Sequence, residues 1–127
     1  MADCPEDLRY SVDHEWVATG NETIARVGIT AYAADALGDI VFASLPSIGD
    51  EVSANDAIAE LESTKSVSEV MCPVSGVIER INDLVADNPG IINEDPYGSG
   101  WLFEVRMTDP AELDNLLDAS TYSNGLD

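Results

Sequence analysis

Lysine is almost missing from this chain. Among 127 residues there is one, Lys65, set against 25 acidic side chains and a formal net charge of −20. A domain of this length with average usage carries roughly half a dozen or more. Histidine is as scarce, with His14 alone, and there are only two cysteines, Cys4 and Cys72. Two cysteines so far apart make neither a disulfide framework nor a metal site. Cys4 falls in an expected frayed terminus, and Cys72, in Val70-Met71-Cys72-Pro73, reads as a small buried hydrophobe. No apolar run approaches the length of a membrane span. The start, Met1-Ala2-Asp3-Cys4-Pro5-Glu6-Asp7, has neither an apolar h-region nor an Arg-rich transit pattern, so the expected location is cytoplasmic. The shortage of cations has its own consequence. A charge of −20 repels phosphate backbones and anionic lipid surfaces, which leaves no nucleic acid and no membrane among the expected partners. Two readings of the acidity stay open: steering toward basic docking surfaces on partner proteins, or adaptation to a salty cytoplasm in which dense like charge is screened. Four arginines, Arg9, Arg26, Arg80 and Arg106, are retained alongside the lone lysine.

What is present is mostly two-residue periodicity. Thr23–Ile29 puts Ala25, Val27 and Ile29 on one face and Arg26 on the other. Ile40–Leu45, closed by Pro46, is a second strand, and Ala57–Glu62 and Val74–Ile81 are two more, lying either side of Lys65. Trp101–Arg106 alternates with Trp101, Phe103 and Val105 inward. Turn residues cluster at Gly20-Asn21, Gly49-Asp50, Asn88-Pro89-Gly90 and Pro96-Tyr97-Gly98. Short strands spaced in this way predict a mainly β sandwich or barrel, with residues 1–127 forming one domain. Two helices punctuate it. Thr30 caps a short internal helix stopped by Gly38. Near the end, Asp109-Pro110-Ala111-Glu112 combines an N-cap, Pro at the first helical position and a capping-box Glu, followed by a stripe of Leu113, Leu116 and Leu117. Residues 1–8 and 123–127 are expected to be loosely held, with the tail loosening from Ser120 except at Tyr122.

Lys65 sits in Glu62-Ser63-Thr64-Lys65-Ser66-Val67-Ser68-Glu69, a polar stretch between two strands, and three roles compete for it. A solvated turn residue is the plain one, weakened by the near-total loss of other lysines. An enzymatic nucleophile needs a depressed pKa from burial or cationic neighbours. Here Glu62, Glu69 and the overall charge all favour the ammonium. Covalent attachment of a carrier group by a dedicated enzyme needs only a protruding, sterically open lysine on a rigid scaffold, and a hairpin tip with small neighbours supplies that. Attachment fits best. No nucleophile–base pair, Gly-rich phosphate loop or metal spacing supports an enzyme.

These residues also resemble a known segment. Glu62–Glu69, followed by Pro73-Val74-Ser75-Gly76, is similar to the lipoyl-attachment segment of the glycine cleavage system H-protein family. Asp13-His14-Glu15-Trp16-Val17 resembles that family's N-terminal signature. Gly28–Ala33 and Ala36–Phe42 are similar to its helix and following strand, and Asn93–Leu102 to its late loop and last core strand. The resemblance runs from about Tyr10 to Tyr122. It implies a flattened barrel-sandwich hybrid of the lipoyl/biotinyl carrier type, with a short internal helix and a C-terminal helix. It implies a non-catalytic shuttle, with lipoate joined to Lys65 by an amide through lipoyl-attaching enzymes. The implied partners are glycine decarboxylase (P-protein), which loads an aminomethyl group, aminomethyltransferase (T-protein), which removes it, and dihydrolipoamide dehydrogenase (L-protein), which reoxidises the dithiol. The loaded arm folds onto a surface cleft in the family, and Glu15 is the residue here for pairing with its amine; an ordinary solvated charge is the other reading of Glu15. His14 is expected to orient its segment or pack against Trp16 rather than act as an acid or base.

Related carriers differ at the tip. A biotin carrier typically has Met on both sides of its lysine, where this chain has Thr64 and Ser66. A lipoyl domain of a 2-oxo-acid dehydrogenase usually reads Asp-Lys-Ala there. Thr64 stands where many H-proteins have Val, a change that keeps a small β-branched residue. A carrier that relays lipoate to other lipoyl domains is the alternative function, and the sequence leaves it and the oligomeric state open.

Overall fold

The computed structural model describes residues 5–19 and 23–125. The turn expected at Gly20-Asn21 and the terminal Cys4 lie outside them. Among the described residues nine strands form two antiparallel sheets. The larger contains β1 (Arg9–Tyr10), β2 (Glu15–Ala18), β3 (Ile24–Ile29), β9 (Phe103–Met107), β8 (Gly76–Ile81) and β5 (Glu51–Val52), in that order. The smaller contains β4 (Ile40–Ser44), β6 (Ala57–Ser63) and β7 (Val67–Met71). The mainly β sandwich expected from the alternating pattern is the architecture observed.

The alternation has a direct physical outcome. Ala25, Val27 and Ile29 of β3, Leu61 of β6, Val70 of β7, Ile78 of β8 and Phe103 and Val105 of β9 are buried together between the sheets. Cys72 belongs to this core, and burial pushes its thiol up to about 12. On the opposite face Arg26 meets its β9 partner Glu104 at 2.9 Å, and Arg80 reaches the same carboxylate at 3.6 Å. Trp101 does not join the main core. It precedes β9, carries the Arg26 guanidinium over its ring at 4.5 Å, and packs in a second cluster with Tyr10, Trp16, Ala119 and Tyr122. Within that cluster the Trp16 ring covers Gly28, where a Cβ would lie 2.6 Å from the indole.

The internal helix forms as its cap residues dictate. Helix α1 (Ala31–Leu37) begins where Thr30 Oγ1 accepts the Ala33 amide, and ends at Gly38, whose φ of +84° suits glycine alone. Two further short helices, α2 (Asp83–Asp87) and α3 (Ile91–Glu94), occupy a region whose sequence shows only turn residues.

The C-terminal region departs from expectation. Asp109 caps its segment as expected, with Oδ1 accepting from Ala111, but Pro110–Asn115 is a 3₁₀ helix and stops there. Glu112 does not close a capping box; it accepts from the Ser75 amide at 2.7 Å and the Ser75 hydroxyl at 2.9 Å, pinning the segment to the sheet. Leu117 then pairs in both directions with Tyr10, an extended arrangement that breaks the predicted leucine stripe. The α-helix comes later, as α4 (Ala119–Asn124), capped by Asp118 and packed through buried Tyr122. The tail expected to loosen from Ser120 is therefore helical through Asn124, because Tyr122 stacks on Tyr10 at 4.6 Å.

Candidate functional site

The β6–β7 hairpin closes over Ser63-Thr64-Lys65-Ser66. Ser63 makes this tip rigid with its short side chain. Its Oγ accepts the amides of Lys65 and Ser66, both at 3.1 Å, while its own amide donates to the Ser66 carbonyl at 2.8 Å. The tip is also moored sideways: the Thr64 amide donates to the Asp39 carbonyl at 3.1 Å, in the α1–β4 turn. Asn93 of α3 braces that turn, donating to the Gly38 carbonyl at 2.8 Å and accepting the Ile40 amide at 2.9 Å. Lys65 is exposed. Its stem leans on Gly38, where a Cβ would come within 2.9 Å of Lys65 Cε. The three ion pairs found among the described residues use Arg26, Arg80 and Arg106, and none uses Lys65. The chain's one lysine amine thus projects from a stiff, braced support.

Next to this support is a cleft of ≈ 180 Å³ between α1, β7 and the approach to β2. Ile29, Leu37, Leu61 and Val70 give it an apolar floor, and Asp13 and Glu15 add carboxylates. Leu37 directly precedes Gly38, the residue Lys65 rests on, so tip and cleft adjoin.

Glu15 is not a solvated charge. It is 2% exposed. The Ser11 hydroxyl donates to Oε1 at 2.5 Å and the Met71 amide to Oε2 at 3.2 Å. Burial raises the carboxyl to about 7; the hydrogen bonds from Ser11 and Met71 pull the other way, and the nearby Asp13 charge adds to the rise. A buried carboxyl poised near neutrality at a cleft responds strongly to any cation placed beside it.

His14 lines the same cleft with a left-handed backbone, φ +71°. Its ring tilts against Tyr32 at 4.8 Å, and Nδ1 lies 2.8 Å from the Tyr122 hydroxyl, which is itself 2.8 Å from Thr30 Oγ1. The expected packing of His14 on Trp16 gives way to these contacts, while Trp16 donates to the Pro96 carbonyl at 2.9 Å. The His14 backbone also joins its segment to the start of α1, its carbonyl accepting the Thr30 amide at 3.0 Å. Sequence reasoning missed Ser11 and Tyr122 as cleft or support residues. For Ser11 a signal existed, since Ser followed by Asp and Glu two and four residues on is the side-chain turn it forms with the amides of Asp13 and Glu15. Tyr122 lies 108 residues from His14 and left none.

Residues 8–127 match the family model described as Glycine cleavage H-protein. The chain belongs to this family. It is 52% identical over 126 residues to the glycine cleavage system H protein of Corynebacterium jeikeium, covering 96% of each chain. It is 49% identical over 125 residues to that of Micrococcus luteus, covering 98% of each. The crystal structure of a glycine cleavage system H protein from Mycobacterium marinum superposes with a TM-score of 0.88 at 45% identity, covering 96% of this chain and 98% of that one. The similarity runs along nearly the full length of these H-proteins.

Proposed function

We propose that this chain is the lipoyl carrier of a glycine cleavage system, with lipoate held in amide linkage on Lys65 and an aminomethyl group carried between enzymes. The observation that carries the reading is the sole lysine, exposed on a Ser63-pinned hairpin tip and adjoining an apolar-floored, carboxylate-lined cleft. The residues suit the group: the apolar floor matches an aliphatic chain with a dithiolane, and the carboxylates match a terminal amine. When bound, lipoate supplies the sulfur chemistry of aminomethyl uptake, release and reoxidation.

The protein's part is positioning. Ser63 and Asn93 hold the root of the arm, which keeps the tethered group at a high effective concentration for each partner. Glu15 and Asp13 receive the cationic end of the loaded arm. An ammonium beside Glu15 favours the carboxylate and so opposes its raised pKa, giving a charge-assisted contact in a site shielded from water. Leu61 and Val70 exclude solvent from the arm while it rests there. The partners in this reading are glycine decarboxylase, aminomethyltransferase, dihydrolipoamide dehydrogenase and the lipoyl-attaching enzyme, and the compartment is the cytoplasm. Among the described residues no helix is long and apolar enough to cross a membrane.

Intact mass tests the reading. Incubation with lipoate, ATP and a lipoyl-protein ligase adds one lipoyl group to the wild type and none to Lys65→Arg. The modified wild type then supports glycine decarboxylation with the three partner enzymes. A wild type that gains no lipoyl mass refutes the assignment of Lys65.

A further inference from the structure

The small sheet has two faces, and only one is accounted for by the fold. Ala43, Leu61 and Val70 point into the core. On the outer face the register sets Phe42 opposite Glu62, and Glu62 opposite Val67. Phe42 is 52% exposed and Val67 56%, and the bulged Val41 beside them is 57% exposed. Such large apolar side chains grouped on one face of a soluble sheet mark an interaction surface. The next row, Ser44–Glu60–Glu69, brings exposed carboxylates to one side, and Asp39 stands at the other. Val67 is two residues from Lys65, so the patch lies at the foot of the lysine.

Reach decides what occupies it. An extended lysine side chain spans roughly 6 Å from Cα to Nζ at standard bond lengths. The enzyme that forms the amide must bring an activated carboxyl to that nitrogen, and so must lie on the residues around the hairpin tip. Enzymes that act on the far end of a loaded arm work at a distance set by the arm and have less need of this face. The carboxylate rim, in a chain of net charge −20, selects a basic partner and repels an acidic one, a second copy of this chain included.

We propose that Val41, Phe42 and Val67, with Glu62 between the last two and a rim of Asp39, Glu60 and Glu69, form the docking surface for the lipoyl-attaching enzyme, whose matching surface is apolar and carries Lys and Arg. The inference rests on the carrier reading above. Its test is the kinetics of lipoylation of the unmodified protein by a lipoyl-protein ligase, followed by intact mass. Phe42→Ser with Val67→Thr raises KM for the carrier about tenfold, as loss of a central apolar anchor does, and leaves kcat within about twofold. Leu84→Ser, which removes an equally exposed apolar side chain on α2, changes neither constant. Added salt raises the wild-type KM, and Glu60→Gln with Glu69→Gln flattens that dependence. Should the double apolar variant lose melting temperature, Val67→Thr and Val41→Thr are measured singly, each with a KM increase of about threefold expected. An unchanged KM in these variants overturns the proposal. So does a loss confined to decarboxylase-coupled turnover, which assigns the face to that enzyme, or a wild-type dimer that the variants dissolve, which assigns it to a second copy. A wild type that is never lipoylated refutes the carrier reading itself and is told apart by the absence of any mass gain.

Discussion

Glu15→Gln tests the electrostatics of the cleft through stability rather than activity. Burial raises the Glu15 carboxyl from 4.5 to about 7. An acid whose folded-state pKa lies above its unfolded value contributes stability that is fully present below the unfolded pKa and is lost as pH rises through the folded one. The window is therefore pH 4.5 to about 7. Across it Glu15 costs the wild type about 3 kcal/mol that a side chain unable to ionise does not lose. The variant also has a fixed penalty. Ser11 Oγ accepts the amides of Asp13 and Glu15 and donates to Oε1. The glutamine oxygen must therefore face Ser11, which turns its NH₂ toward the Met71 amide, a donor against a donor. That mismatch costs about 1–3 kcal/mol at every pH. The diagnostic is accordingly the slope and not the offset. Urea unfolding of both proteins is measured from about pH 5 to about pH 8, in enough salt to damp the common acidic background. The wild type should lose about 3 kcal/mol more than the variant over that range. Parallel stability curves would refute the claim that burial raises the Glu15 pKa.

Three smaller changes probe the supports. Tyr122→Phe removes the hydroxyl that lies between His14 Nδ1 and Thr30 Oγ1 while keeping the stack on Tyr10, and should cost about 1–2 kcal/mol in chemical denaturation. A cost of only a few tenths would mean that α4 does not brace the cleft. Gly38→Ala forces a Cβ into a φ of +84° and to within 2.9 Å of Lys65 Cε. It should lower stability by about 1–3 kcal/mol and displace the lysine stem, seen as lost NMR contacts between residues 38 and 65. Cys72, buried and with its thiol pushed up to about 12, should resist iodoacetamide in the folded protein at about pH 8 and react once urea is added, as peptide mass mapping would show.

The parts of this molecule legible in its sequence are those whose signals are local. Alternation in Thr23–Ile29 and Trp101–Arg106 marks two central strands because one face of each is buried, and Thr30 and Gly38 bracket α1 because capping is chemistry between residues at most four apart. Helices α2 and α3 are too short to show a period, and the turn residues around them are equally at home in loops. The 110–117 stretch illustrates a harder limit. Its cap and proline are correctly read, yet Glu112 finds Ser75 and Leu117 finds Tyr10, and those distant partners outcompete the helix that the local pattern favours. The site divides along the same line. Lys65 stands out through scarcity, a property of the whole chain that needs no fold to be seen. The burial of Glu15 was open because its state depends on Met71, 56 residues away, and on the closing of β7 over β2. A carboxylate in a polar stretch reads as solvated until the fold supplies the amide that holds it and the apolar wall that raises its pKa. No cation is among the groups that set the Glu15 pKa. With an arginine or lysine beside Glu15 the carboxyl would be ionised and already paired; with none there, it keeps its capacity to meet a cation that arrives on the arm.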